Sequence, residues 1–133
     1  MGSGTSSGRT PPSRKTPATV SIRVGGTERT VDKDISDAVD AASWNRDPAS
    51  FGGEMIQVSG IGRAFITPRT RDGQPITGSS IRNLDNEIFV QLDGENNRRR
   101  VTGVLADRNN RYSHQAARAW LKLYAQRARN AAG

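Results

Sequence analysis

The chain has 133 residues, a formal net charge of +7 carried by 17 Arg and 3 Lys against 13 acidic groups, and no Cys. That length holds one domain, the lack of cysteine excludes disulfides and thiolate metal sites, and no apolar run approaches the roughly 20 residues of a membrane span. Leu, Ile, Val and Phe make up only 18% of the chain, so the core is thin and a partner that buries more of the surface would add stability.

Residues 1–19 (MGSGTSSGRTPPSRKTPAT) are rich in Gly, Ser, Thr and Pro and carry Arg9, Arg14 and Lys15. The stretch has no apolar centre and so does not read as a secretory signal. Its composition is that of an extended basic arm, disordered on its own. The chain therefore divides into a tail, 1–19, and a single domain, 20–133.

Thr19–Val31 alternates Val20, Ile22 and Val24 with polar residues, the pattern of a half-buried strand. A turn at "GGTE" then starts a return strand. Asp32–Trp44 reads as a helix with Asp34 as N-cap and Asp37 completing a capping box. Ile35, Ala38, Val39 and Ala42 fall on one face of it, and Asp37 and Asp40 lie off that face. Glu54–Pro68 reads as two short strands or one bent strand, with Gly60 and Gly62 marking a bulge or bend. "RTRDGQPITGSS" is a loop with a turn at Asp72–Gly73. A hairpin follows, Glu87–Asp93 and Arg100–Ala106 joined through "GENN". The last element is a helix from Ser113 to about Asn130. Ala117, Trp120, Leu121, Tyr124 and Ala128 share its apolar face, and Arg118, Lys122 and Arg129 form a separate basic stripe. The order predicts an α+β fold: a small antiparallel sheet or partly open barrel, one short helix in the N-terminal half and a C-terminal amphipathic helix.

Charge is polarised along the chain. Residues 1–30 carry +4, residues 31–60 carry −4, residues 61–93 balance, and residues 94–133 carry +7. Two uses follow. The tail, the cluster Arg98, Arg99 and Arg100, then Arg108 and Arg111, and the helical stripe are candidates to touch the phosphates of DNA or RNA, with a salt-dependent affinity indifferent to sequence. Alternatively the acidic first helix of one subunit, through Asp37 and Asp40, docks on the basic last helix of the next. Set against both, successive strand residues point to opposite faces. Arg98 and Arg100 then share one face and Arg99 takes the other, as in a solvated hairpin that guards a sheet edge.

Signatures of catalysis are missing: no H-E-x-x-H, phosphate-binding loop or G-x-S-x-G. His114 is the single histidine and reads as a solvated side chain. "GIGRAF" has G-x-G without a third glycine. The pairs Asp32/Asp34, Asp37/Asp40 and Asp85/Glu87 are accounted for by helix capping and surface solvation. "GRAFITP" offers one aromatic, Phe65, where an RNA-recognition strand wants two or three. Trp44 and Trp120 sit in apolar patterns and read as core, with an interface anchor as the alternative.

The expectation is a non-enzymatic structural subunit of a large assembly, a viral or phage particle component. It would use basic segments against neighbouring subunits or packaged nucleic acid, with no membrane, metal or cofactor. The alternative is a stand-alone nucleic-acid-binding protein or ribonucleoprotein component.

Overall fold

A computed structural model of the chain describes residues 18–69, 74, 85–101 and 110–133, with backbone alone at 85 and 110–112. The tail candidates Arg9, Arg14 and Lys15, the turn expected at Asp72–Gly73, Arg108 and most of the return strand expected at Arg100–Ala106 lie outside the described residues, as does the side chain of Arg111.

The fold is α+β, with two antiparallel sheets and two helices. Strands β1 (Thr19–Val24) and β2 (Thr27–Asp32) form a two-stranded ribbon. Val24 pairs with Thr27 across a two-residue turn at Gly25 and Gly26, whose φ angles are 57° and 83°. Positive φ at both positions is what a tight hairpin turn of this hand requires, hence two glycines. The ribbon buries Val24 and Val31, while Val20 and Ile22 are half-buried.

Helix α1 (Lys33–Ala41) follows directly. Its N-cap is Asp32, which makes no side-chain capping bond, and Asp34 lies inside the first turn. The expected cap at Asp34 and the capping box with Asp37 are therefore corrected by two residues. The local cause is that β2 runs straight into the helix: Lys33 N–H donates to Ala18 C=O at 2.8 Å, holding the ribbon against the first turn.

The second sheet has the order β3–β4–β5–β6–β7, each strand antiparallel to its neighbours: Asn45–Arg46, Glu54–Val58, Gly62–Arg69, Asp85–Leu92 and Arg99–Arg100. The Gly60/Gly62 region is a turn between β4 and β5, not a bulge within one strand. Pro68 is tolerated in β5 because it lies past the end of β4, where β5 is paired only with β6.

Helix α2 (Asn110–Ala132) crosses one face of this sheet. Ala117, Leu121 and Ala125 meet Ile56, Val58, Ala64, Ile66, Ile88 and Val90, and Ile35 and Val39 of α1 close the same cluster. Ala128, expected on the buried face, is exposed near the end of the helix, and Ala125 takes that role. At the other end a buried bond from Asn86 Nδ2 to Ser113 Oγ, 2.9 Å, ties β6 to the start of α2. Trp44 and Trp120 are half-buried against this core, Trp44 with an indole N–H that finds no partner. Among the described residues no helix is long and apolar enough to cross a membrane.

Leu121 is fully buried where α2 meets both the sheet and α1. Leu121→Ala should cost about 2–5 kcal/mol. Urea unfolding should show a lower midpoint with an unchanged slope.

Candidate functional site

Of the six sequence-predicted basic side chains among the described residues, five are positioned by carboxylates of the same chain and Arg118 by backbone carbonyls. The helical stripe faces α1. Arg118 donates from both terminal nitrogens to backbone carbonyls at the end of α1, to Val39 C=O and, at 2.9 Å, to Ala42 C=O. Helix α1 has no basic residue in its own last turn, so Arg118 supplies the positive charge that its C-terminus favours. Lys122 Nζ lies 2.9 Å from Asp40 Oδ1. Arg129 Nη1 reaches Asp32 and Asp34, each at 2.9 Å, and Nη2 bonds Asp34 at 3.0 Å. Helices α1 and α2 therefore run antiparallel, with matched charge along their length.

That placement corrects the docking expectation. The acidic first helix does meet the basic last helix, but within one chain. Asp40 is taken by Lys122, and Asp37 pairs with Lys33 at 2.6 Å.

The hairpin arginines alternate as expected. Arg99 lies on the helix side, paired with Glu95 and 5.4 Å from the Tyr124 ring centroid. Arg98 and Arg100 lie on the far face, the one α2 leaves uncovered. There Phe65 and Phe89 are cross-strand neighbours, and Phe89 is in register with Arg100. The Arg98 guanidinium sits 3.7 Å above the Phe65 ring and donates two bonds, 2.7 and 3.0 Å, to Asp47. Arg100 Nε is 2.7 Å from Glu87 Oε2, and Arg69 Nε is 3.0 Å from Glu87 Oε1. Asp47 and Glu87 are 1% and 2% exposed, so each carboxylate is removed from water and has arginine N–H groups in water's place.

Asp47 also organises the loop it opens. Its N–H donates to Gly53 C=O at 2.9 Å, its C=O accepts from Ser50 N–H at 3.2 Å, and its Oδ1 accepts from Ala49 N–H at 3.0 Å. Gly53 is required at the loop's end, since a Cβ there would fall 2.6 Å from Ser50 Oγ and 3.1 Å from Ile66 C=O. The result is a fixed loop, Asp47–Gly53, that displays Phe51 at 56% exposure. Phe51 and Phe89 line a cavity of about 450 Å³, together with Thr67, Arg69 and Arg98.

The sequence reading missed Asp47, Phe51, Thr67 and Arg69, and it took Glu87 for a solvated surface carboxylate, where the structure buries it to 2% exposure between two arginines. The signal that could have raised Phe51 is the Asp-Pro-x-x-x-Gly-Gly punctuation around it, which marks a tight loop presenting a large apolar residue. His114, expected to be solvated, is half-buried: its ring stacks on Trp44 at 4.6 Å, and Nε2 lies 3.2 Å from Glu54 Oε2. Among the described residues, no cluster of three or more His, Asp or Glu is placed to hold a metal ion.

Comparison of the chain with family models, with curated proteins and with solved structures finds no match.

Asp47→Ala strands Arg98 without its buried partner and removes the one side-chain bond, from Ala49 N–H, that helps hold the loop, while the two backbone bonds remain. The expected cost is about 2–4 kcal/mol, near the lower end of the buried-pair range because Arg98 is itself partly exposed. Limited proteolysis should then cut within 47–53, a site protected in the parent chain. A second expectation concerns acid. Hydrogen bonds from Arg129 hold the Asp34 carboxyl below its ordinary pKa. A carboxyl with a depressed folded pKa adds stability above its unfolded value and loses it as pH falls through the folded one. Both groups are largely in solvent, so the effect is small. The stability gap between the parent chain and Asp34→Asn should be present at neutral pH and close below about pH 4.

Proposed function

We propose that this protein is a non-enzymatic structural subunit of a large assembly, of the kind that builds a viral or phage particle. The observation that carries this reading is the β1–β2 ribbon. It is a sheet of two strands, so among the described residues both of its outer edges lack a strand partner. Thr27, Glu28, Arg29 and Thr30 of β2 are exposed. Bare edges are templates for strands from other chains, and pairing along them joins subunits through main-chain hydrogen bonds. The basic arm of residues 1–17 leads directly into the ribbon, and its extended composition suits it to lie along a neighbour's edge.

The thin core supports the same reading, because association buries surface that the monomer leaves in water. The alternative, a stand-alone nucleic-acid-binding protein or ribonucleoprotein component, is favoured by the net charge of +7.

Light scattering on a sizing column, with a nuclease-treated sample at physiological salt, separates the two. The expected species is a defined multiple of 14.4 kDa. A species of 14.4 kDa at every concentration overturns the assembly reading in favour of the alternative.

A further inference from the structure

The far face of the five-stranded sheet carries groups that no other described residue uses up. Glu87 takes the Nε sides of two arginines, Arg69 and Arg100. One buried carboxylate holding two guanidinium groups leaves a local charge of +1. No other described side chain takes the terminal nitrogens of either arginine. Such pinned forks match the oxygens of a phosphate and lose little side-chain entropy when they bind one.

Beside them lies the cavity of about 450 Å³, within the range of small-ligand sites. Two aromatic rings line it, Phe51 and Phe89, and Phe51 is the one exposed large apolar side chain among the described residues. Thr67 lines it too, and its buried Oγ1 has no hydrogen-bond partner among the described residues. A hydroxyl both donates and accepts, and leaving one buried and unpaired is costly. The fold gives no reason for a hydroxyl at this position.

A ligand that satisfies all three features has a flat ring, a hydrogen-bonding edge on that ring and an anion close by. We propose that this face binds single-stranded nucleic acid: one base enters the cavity against Phe51 and Phe89 with Thr67 at its edge, and the adjoining phosphate is taken by Arg69 and Arg100. A strand is favoured over a duplex because a paired base keeps its rings stacked and its edge occupied. An acidic peptide offers the anion, but aromatic side chains offer at most one polar atom at the rim. The inference deepens the assembly reading by naming a partner for the subunit. It does not require the chain to be multimeric.

The test is fluorescence anisotropy with short labelled oligothymidine and oligouridine, on the full chain after nuclease treatment, across a range of salt concentrations. Phe51→Ala should weaken binding roughly 5- to 150-fold, the loss of one stacked base, and leave the salt slope unchanged. Phe51→Trp should retain affinity. Arg100→Gln leaves Glu87 paired with Arg69, and should lower the log–log salt slope by about 0.7, one phosphate contact on a single strand. Thr67→Val should weaken binding while raising the urea midpoint, because it removes an unsatisfied hydroxyl without changing shape. Stronger binding to oligouridine or to oligothymidine would identify the sugar without changing the site.

The proposal is overturned if neither oligonucleotide binds, if a duplex of the same length competes equally, or if Phe51→Ala binds like the parent chain. Displacement by an acidic, tyrosine-containing peptide that binds more tightly also overturns it, in favour of protein docking. Solution mass read on the same samples keeps the outcomes apart. Loss of binding at unchanged mass, or its absence from a multimer, sinks this inference alone.

Discussion

A chain with so few large apolar side chains has little buried area with which to fix how a sheet, a ribbon and two helices sit together, and arginine supplies that definition. Helix α2 supplies the one continuous apolar contact, through Ala117, Leu121 and Ala125. Beyond that stripe, Ile35 and Val39 of α1 and Val24 and Val31 of the ribbon add smaller apolar contacts, and polar groups set how these elements are placed. Gln126 accepts from Asp32 N–H at 2.7 Å where the ribbon meets α1, and Arg118, Lys122 and Arg129 hold α1 alongside. Exposed pairs such as Arg129 with Asp34 contribute little stability. What they set is register: three cations spaced along α2 fit α1 at a single axial offset.

The buried carboxylates act differently. Taking Asp47 and Glu87 out of water costs several kcal/mol each, which only close arginines offset. The gain is definition rather than strength. Phe65 seats Arg98, Arg98 seats Asp47, and Asp47 folds the loop that presents Phe51. A ring buried in the sheet thereby fixes a ring at the surface. A loop held in this way pays little ordering entropy on binding, and this is the main reason a single exposed aromatic can matter.

Much of the fold was legible in local pattern. Alternation in Thr19–Val24, the paired glycines at 25 and 26, and the helical stripe of Ala117 and Leu121 all depend on neighbours within a few residues, and each element formed there with its ends shifted: β2 begins at Thr27, inside the expected turn, and α2 at Asn110, ahead of Ser113. The candidate site was not legible, because its contacts are distant in sequence. Arg98 and Asp47 are 51 residues apart, and Arg129 and Asp34 are 95 apart. Charge summed over segments shows that positive and negative stretches exist, but not that they meet inside one molecule. The same distance hid the aromatic pair. Phe65 looked solitary in its strand, and its partner Phe89 comes from the next strand of the sheet.

Internal pairing also moves the basic surplus. Arg98, Arg99, Arg100, Lys122 and Arg129 face carboxylates, and Arg118 faces carbonyls. Arg23 and Arg29 on the ribbon have no carboxylate in ion-pair range among the described residues, nor has Arg63 on the far face. Residues 1–30 carry +4 with a single acidic group. Unneutralised charge among the described residues therefore lies on the ribbon, beside bare strand edges, and on the far face of the sheet. Like charges along the ribbon resist indiscriminate edge pairing, so a neighbour that pairs there must bring negative charge of its own. On the sheet face, Arg69 and Arg100 share the single carboxylate of Glu87, which leaves a local charge of +1 near the exposed ring.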